Sequence, residues 1–73
     1  SLVRLQSGRL GVVIEHHPQQ LTAPRLRLLY STRTRAAIPL EELELSNPQC
    51  SDRIVGREDP ADWGFSDLDE LWR

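Results

Sequence analysis

The feature that most constrains this chain is a period-2 alternation of apolar residues that breaks and restarts at glycine. Val3 and Leu5 alternate with Arg4 and Gln6, Ser7-Gly8 interrupts them, and Leu10, Val12 and Ile14 resume the pattern. Successive side chains of a strand point to opposite faces, so this spacing predicts a β-hairpin. Gly8 supplies the positive φ of a tight turn, and Gly11 within the second strand predicts a bulge or a strong bend. His16-His17-Pro18-Gln19-Gln20 then ends the strand, because a proline cannot donate to a ladder, and the loop runs on to Pro24.

The alternation returns at 25–30, with Leu26, Leu28 and Tyr30 on one face and Arg25, Arg27 and Leu29 on the other. β-branched Thr32 and Thr34 are expected to extend this strand and to place Arg33 and Arg35 beside Arg25 and Arg27. Residues 40–45 fit two readings: Leu40 and Leu43 suit a helical turn, whereas Leu43 and Leu45 around Glu44 suit a strand. A single turn followed by a short strand is the reading adopted. Ser46-Asn47-Pro48-Gln49 is turn chemistry, and residues 53–57 form a brief strand in which Gly56 marks close backbone approach. After Pro60, Ser66 and Asp69 make a capping-box-like start, and Leu68, Leu71 and Trp72 at i, i+3, i+4 predict a short α-helix.

At 73 residues the chain can bury one hydrophobic core, so a single small domain is expected. No apolar run approaches the roughly 18 residues of a membrane span, and the absence of an initiator Met fits a piece of a longer polypeptide. Five short strands with glycine bends and a terminal helix describe a mainly β fold, a small SH3-like (KOW-like) five-stranded barrel with a short C-terminal α-helix. Residues 1–58 would form the barrel and residues 59–73 an extension packing on it, with Trp63, Phe65, Leu68 and Trp72 plugging an open side. These four also carry more large apolar surface than so small a core needs, so they are the candidate interaction surface.

Catalysis and metal binding find little to build on. Cys50 is the lone cysteine, which excludes an internal disulfide and fits a reducing compartment. His16 and His17 on an extended segment would point to opposite faces, so an exposed loop pair is expected rather than a metal site. No nucleophile motif surrounds Cys50 or the serines, and neither an enzyme nor a cofactor is expected within this chain. All nine basic residues are Arg and none is Lys, a bias that suggests a GC-rich bacterial source.

Charge is divided unevenly: residues 1–37 hold six arginines against Glu15, and residues 38–73 hold ten acids against Arg53, Arg57 and Arg73. The asymmetry suits either a basic binding face or two halves neutralising each other, and the second reading is preferred. Arg53 and Arg57 have the spacing of the arginine pair with which PilZ-type domains hold cyclic di-GMP. The accompanying D/N-x-S-x-x-G element is absent, and the two arginines are expected to pair with Glu58, Asp59 or Asp62. Arg25, Arg27, Arg33, Arg35, Arg53 and Arg57 are the candidate anion or nucleotide contacts. The hairpin V-R-L-Q-S-G-R-L-G-V-V-I-E at 3–15 resembles a KOW-type element of ribosomal and transcription-associated barrels, which makes RNA binding the alternative function.

Taken together, L-V-R-L-Q-S-G-R-L-G-V-V-I-E at 2–15, R-L-R-L-L-Y-S-T-R at 25–33, I-P-L-E-E-L-E-L at 38–45 and D-R-I-V-G-R-E-D-P-A-D-W-G-F at 52–65 resemble the segment following the catalytic domain in bacterial HD-GYP proteins. That family comprises metal-dependent phosphodiesterases that hydrolyse cyclic di-GMP. Neither a His-Asp dipeptide nor Gly-Tyr-Pro occurs in the chain, so no catalytic residue is carried over. The resemblance implies a cytoplasmic, non-catalytic accessory or regulatory tail, with metal ligands and substrate pocket upstream. Its expected partners are its own catalytic domain or a second copy.

Overall fold

The computed structural model describes residues 1–65. Five strands form one antiparallel sheet: β1 (Leu2–Leu5), β2 (Arg9–Glu15), β3 (Arg25–Ser31), β4 (Ala36–Glu44) and β5 (Ile54–Arg57). The first four make a meander, and β5 returns to the free side of β1, giving the order β4-β3-β2-β1-β5. A 3₁₀ turn, Pro60–Trp63, follows.

Mainly β character and five strands are as the sequence predicts, but the barrel is not closed. β4 and β5 stand at opposite ends of the order and share no ladder. The helix expected over 66–72 lies outside the described residues, as do Leu68 and Trp72.

Apolar residues line both faces of the curved sheet. Val3, Leu5, Val13, Leu26, Leu28 and Leu45 form one cluster, joined by partly buried Ala23, Ile38, Leu43, Cys50 and Ile54. Leu2, Leu10, Val12 and Leu29 form the other, covered by Ile14, Tyr30, Trp63 and Phe65. Leu5, Leu10, Leu26 and Leu28 are almost wholly buried, and each such side chain contributes about 1.5–3 kcal/mol relative to an exposed one.

Bulges produce the curvature. β3 pairs Tyr30 with Leu10 and Leu28 with Gly11, leaving Leu29 as the extra residue opposite the glycine. Gly11 is required there because a Cβ would lie 3.0 Å from the Arg27 carbonyl oxygen. This bulge corrects the expected faces of β3: Leu26 and Leu28 stay together, but Tyr30 moves to the second cluster and joins Leu29. A second register shift leaves Ile14 extra on β2, and a third leaves Val55 extra on β5. On β4 the pairing jumps from Glu41 to Ala37, so Ile38, Pro39 and Leu40 bow out of register with β3. Pro39 has no N–H to give and sits where none is needed, at a bulge on an edge strand.

Two local expectations are corrected. Residues 40–45 contain no helical turn, since β4 is continuous to Glu44 and pairs Arg25 with Glu44 and Arg27 with Glu42. Thr32 and Thr34 do not extend β3; residues 32–35 turn, with Arg35 at φ 55°. The Thr32 amide and hydroxyl both donate to the Gly8 carbonyl, and the Thr34 amide donates to Ser31 Oγ. These local bonds satisfy the backbone without a longer ladder.

Candidate functional site

The β1–β2 turn is held by one carboxylate. Gly8, at φ 91°, allows the chain to reverse, and its amide donates to Leu5. Asp52, in the long connection between β4 and β5, then accepts from the Ser7 amide (3.1 Å), the Ser7 hydroxyl, Arg9 Nη2 (3.0 Å) and the Arg53 amide (3.0 Å). Burial pushes the Asp52 carboxyl up, and the hydrogen bonds from Ser7 and Arg9 more than offset that, leaving it below its ordinary value. Arg33 Nε donates to the Ser7 carbonyl on the other side of the turn. A cleft of about 260 Å³ beside this hub is lined by Gln6, Ser7, Arg9, Ser51 and Asp52. Every Asp52 contact is internal, so the hub's chemistry is that of a clamp.

Glu15, His17 and Glu44 bring their ligand-type atoms within 4.8 Å of one another. His17 Nε2 lies 2.8 and 2.9 Å from the two Glu44 oxygens, and Arg25 Nη2 lies 2.8 Å from Glu15. Burial raises the Glu44 carboxyl, and the hydrogen bonds from His17 and Ser46 lower it by more. Each member of this group already has an internal partner, since Arg25 neutralises Glu15 and His17 is hydrogen-bonded to Glu44. The His17–Glu44 hydrogen bond joins the 16–24 loop to β4. The adjacent histidines serve different surfaces, as their extended geometry predicts: His17 meets Glu44, whereas His16 lines a groove described below.

The candidate arginines are spread over the molecule. Arg25 and Arg27 both reach Glu42, at 3.5 and 3.1 Å, and Arg9 reaches Glu41 at 3.5 Å. The acids of β4 thus interleave with the arginines of β2 and β3, which answers the charge asymmetry by mutual neutralisation. Arg35 occupies the β3–β4 turn, while Arg53 and Arg57 are exposed around β5. The expected pairing of Arg53 and Arg57 with Glu58, Asp59 or Asp62 is not found among the described residues. Glu58 instead accepts from Arg4 Nε (3.1 Å) and Trp63 Nε1 (2.9 Å), and Asp59 caps the 3₁₀ turn by accepting from the Ala61 amide. The bonds from Trp63 and Arg4 hold the Glu58 carboxyl below its ordinary value.

Trp63 and Phe65 are half-buried. Gly64 ends the 3₁₀ turn in the left-handed region, and the Phe65 amide donates back to the Pro60 carbonyl. Both rings fold onto Tyr30, with centroid separations of 5.7 and 5.6 Å and tilted and edge-on geometries. Their apolar area is thereby engaged with the second core cluster.

The surface that sequence reasoning missed is a groove of about 250 Å³ lined by Ser1, Val3, Val13, His16, Leu21, Thr22, Pro24, Ile54 and Arg57. Its floor is the edge of the first core cluster, and Leu21 stands at its rim 73% exposed. The signal was present as a lone Leu in an otherwise polar loop, but nothing in the spacing ties that loop to β5.

Fold and sites together define a small open-sheet β domain whose polar clusters are internal ties and whose surface exposes Leu21, Leu40 and Val55 among charged residues. Over 72 residues, 99% of its length, the chain is 46% identical to cyclic di-GMP phosphodiesterase PA4108 of Pseudomonas aeruginosa, and it spans 17% of that protein. No protein-family model matches the chain, and no solved structure matches it significantly. The resemblance read from the sequence is borne out to this extent: along almost its whole length the chain is similar to a segment of a cyclic di-GMP phosphodiesterase. Among the described residues no helix is long and apolar enough to cross a membrane.

Proposed function

We propose that this chain is a non-catalytic accessory domain of a cytoplasmic HD-GYP cyclic di-GMP phosphodiesterase, working by packing against the catalytic domain of the same polypeptide or by assembling copies of it. Residues 1–58 form its SH3-like body and residues 59–73 an extension. The observation that carries this reading is the 46% identity along the whole chain to a segment that makes up 17% of such an enzyme. One feature supports a non-catalytic role: the chain lacks both family signatures.

The test compares cyclic di-GMP hydrolysis and oligomeric state in the longer protein and in a version lacking residues 1–73, with folding of both checked. Hydrolysis by the longer protein, with a changed rate or assembly on removal, is the expected result. A folded, metal-loaded longer protein that does not hydrolyse the dinucleotide would overturn the reading. Chemical shifts at Arg33, Arg35, Arg53 or Arg57 that move on titration with RNA would favour a nucleic-acid module instead.

A further inference from the structure

We propose that Glu15, His17 and Glu44 form a binding site for one zinc ion, which ties the 16–24 loop to the ends of β2 and β4. The inference is independent of the phosphodiesterase reading, since it concerns only side chains of this chain.

Sheet register brings the three residues together. Glu15 is the last residue of β2 and Glu44 the last of β4, and both stand directly opposite Arg25 on the strand between them. Residues paired across an antiparallel sheet share a face, so the two carboxylates rise on one side at one end of the sheet. His17 follows Glu15 by two residues; the loop turns there, with the Gln20 amide donating to the His17 carbonyl, and the imidazole lies against Glu44. The ligand-type atoms of all three then lie within 4.8 Å of one another, on side chains that are 50%, 28% and 34% exposed and open to an ion from solution.

The dimensions suit a small cation. Tetrahedral zinc with nitrogen and oxygen ligands at about 2.0–2.2 Å sets neighbouring ligand atoms about 3.4 Å apart. The His17–Glu44 separations of 2.8 and 2.9 Å open slightly to reach that figure, and no pair needs to close by more than about 1.4 Å. An imidazole with two carboxylates suits zinc better than calcium or magnesium, which prefer oxygen ligands alone. His17 Nε2 faces both oxygens of Glu44, an arrangement that calls for a hydrogen or a cation between them. In the neutral ring a proton on Nε2 fills that role; with the proton on Nδ1 instead, Nε2 offers its lone pair to the metal and no proton is lost.

Arg25 is the competitor, and it has somewhere else to go. Its Nη2 lies 2.8 Å from Glu15, but its Nη1 already lies 3.5 Å from Glu42, and its Nε is buried without a hydrogen-bond partner. A cation on Glu15 therefore leaves the guanidinium paired with Glu42. Three protein ligands keep a fourth position for water, and a hollow of about 380 Å³ lined by His17, Pro18, Gln19, Gln20 and Ser46 lies beside the ring.

The experiment titrates the full 73-residue chain with zinc chloride, read by calorimetry and by amide chemical shifts. One zinc per chain is expected, with the largest shifts at residues 15–17 and 44–46. Loss of even an outer-sphere partner weakens metal sites about 10–100-fold, so His17→Ala is expected to weaken binding by more than about tenfold. His16→Ala should leave it unchanged, because His16 lines the groove on the other surface. Arg25→Gln frees Glu15 and should tighten binding, and calcium should bind more weakly than zinc. No zinc binding, equal binding by wild type and His17→Ala, an equal loss in His16→Ala, weaker binding by Arg25→Gln, or a preference for calcium would each overturn the proposal. His17 is a loop residue outside both core clusters, so its removal is expected to leave the amide spectrum of the sheet intact.

Discussion

At Asp52 and Gly11 single atoms decide what the chain tolerates. Asp52 carries four hydrogen bonds on a side chain only 8% exposed, and its carboxyl lies below the ordinary value of 3.8. A carboxyl lowered by folding stabilises the native state fully above its unfolded value, and that contribution is lost as pH falls through the lower folded value. Asp52→Asn keeps the shape but removes the charge facing Arg9, and is expected to cost about 1–3 kcal/mol at neutral pH. Its denaturation midpoint should also fall less than that of wild type between neutral pH and pH below 3.8. Gly11→Ala meets a different obstacle, since the new methyl would lie 3.0 Å from a backbone oxygen and 3.1 Å from Leu28 Cδ2. The oxygen is backbone and Leu28 is fully buried in the core, so a loss of about 1–3 kcal/mol by chemical denaturation is expected.

At the scale of elements, what was legible in the sequence was whatever a single strand encodes by itself. β1, β2 and β3 could be read from their own alternation, and Gly8 and Gly11 announced the turn and the bulge. What was not legible depended on pairs of strands. Leu29 is extra because Gly11 opposes Leu28, and residues 40–44 are strand because they pair with β3, Glu44 opposite Arg25 and Glu42 opposite Arg27. The site followed the same rule. The arginines were visible as residues, but their partners and the Leu21 groove required knowledge of which elements meet. The 3₁₀ turn shows how little local structure suffices once packing is added: Asp59 and Gly64 cap it, and Trp63 fastens it to Tyr30 and Glu58. Trp63→Ala should cost about 2–3 kcal/mol, below the usual range for a buried aromatic because the ring is half-exposed. Trp63→Phe retains the ring contact and loses only the bond to Glu58, so it should cost about 1 kcal/mol. Equal losses for the two variants, measured by thermal denaturation, would mean that the hydrogen bond rather than the ring holds the turn.

At the scale of the whole molecule, the charge asymmetry becomes a statement about assembly of the two halves. The basic half contributes β1 to β3, and the acidic half contributes β4, whose Glu41 and Glu42 reach Arg9, Arg25 and Arg27 across the sheet. The same glutamates, with Pro39, sit on the outermost strand, where charge and a missing N–H discourage pairing with another chain. Exposed ion pairs are individually worth about 0–1 kcal/mol and are screened by salt, so the arrangement matters through its sum and its sign. Glu42 is the informative position because it serves two arginines, whereas among the described residues Glu41 pairs with Arg9, at 3.5 Å. Glu42→Lys turns two attractions into two repulsions and is expected to cost about 1 kcal/mol at low ionic strength. Glu41→Lys should cost less than half as much, because Asp52 still holds Arg9 at 3.0 Å. In about 1 M salt, where the screening length shrinks to roughly 3 Å, both variants should return most of the way to the wild-type denaturation midpoint. A Glu42→Lys deficit that persists in high salt would mean that Glu42 contributes through packing of its stem on β3 rather than through charge. The electrostatic reading of the two halves would then fail at the place where it is strongest.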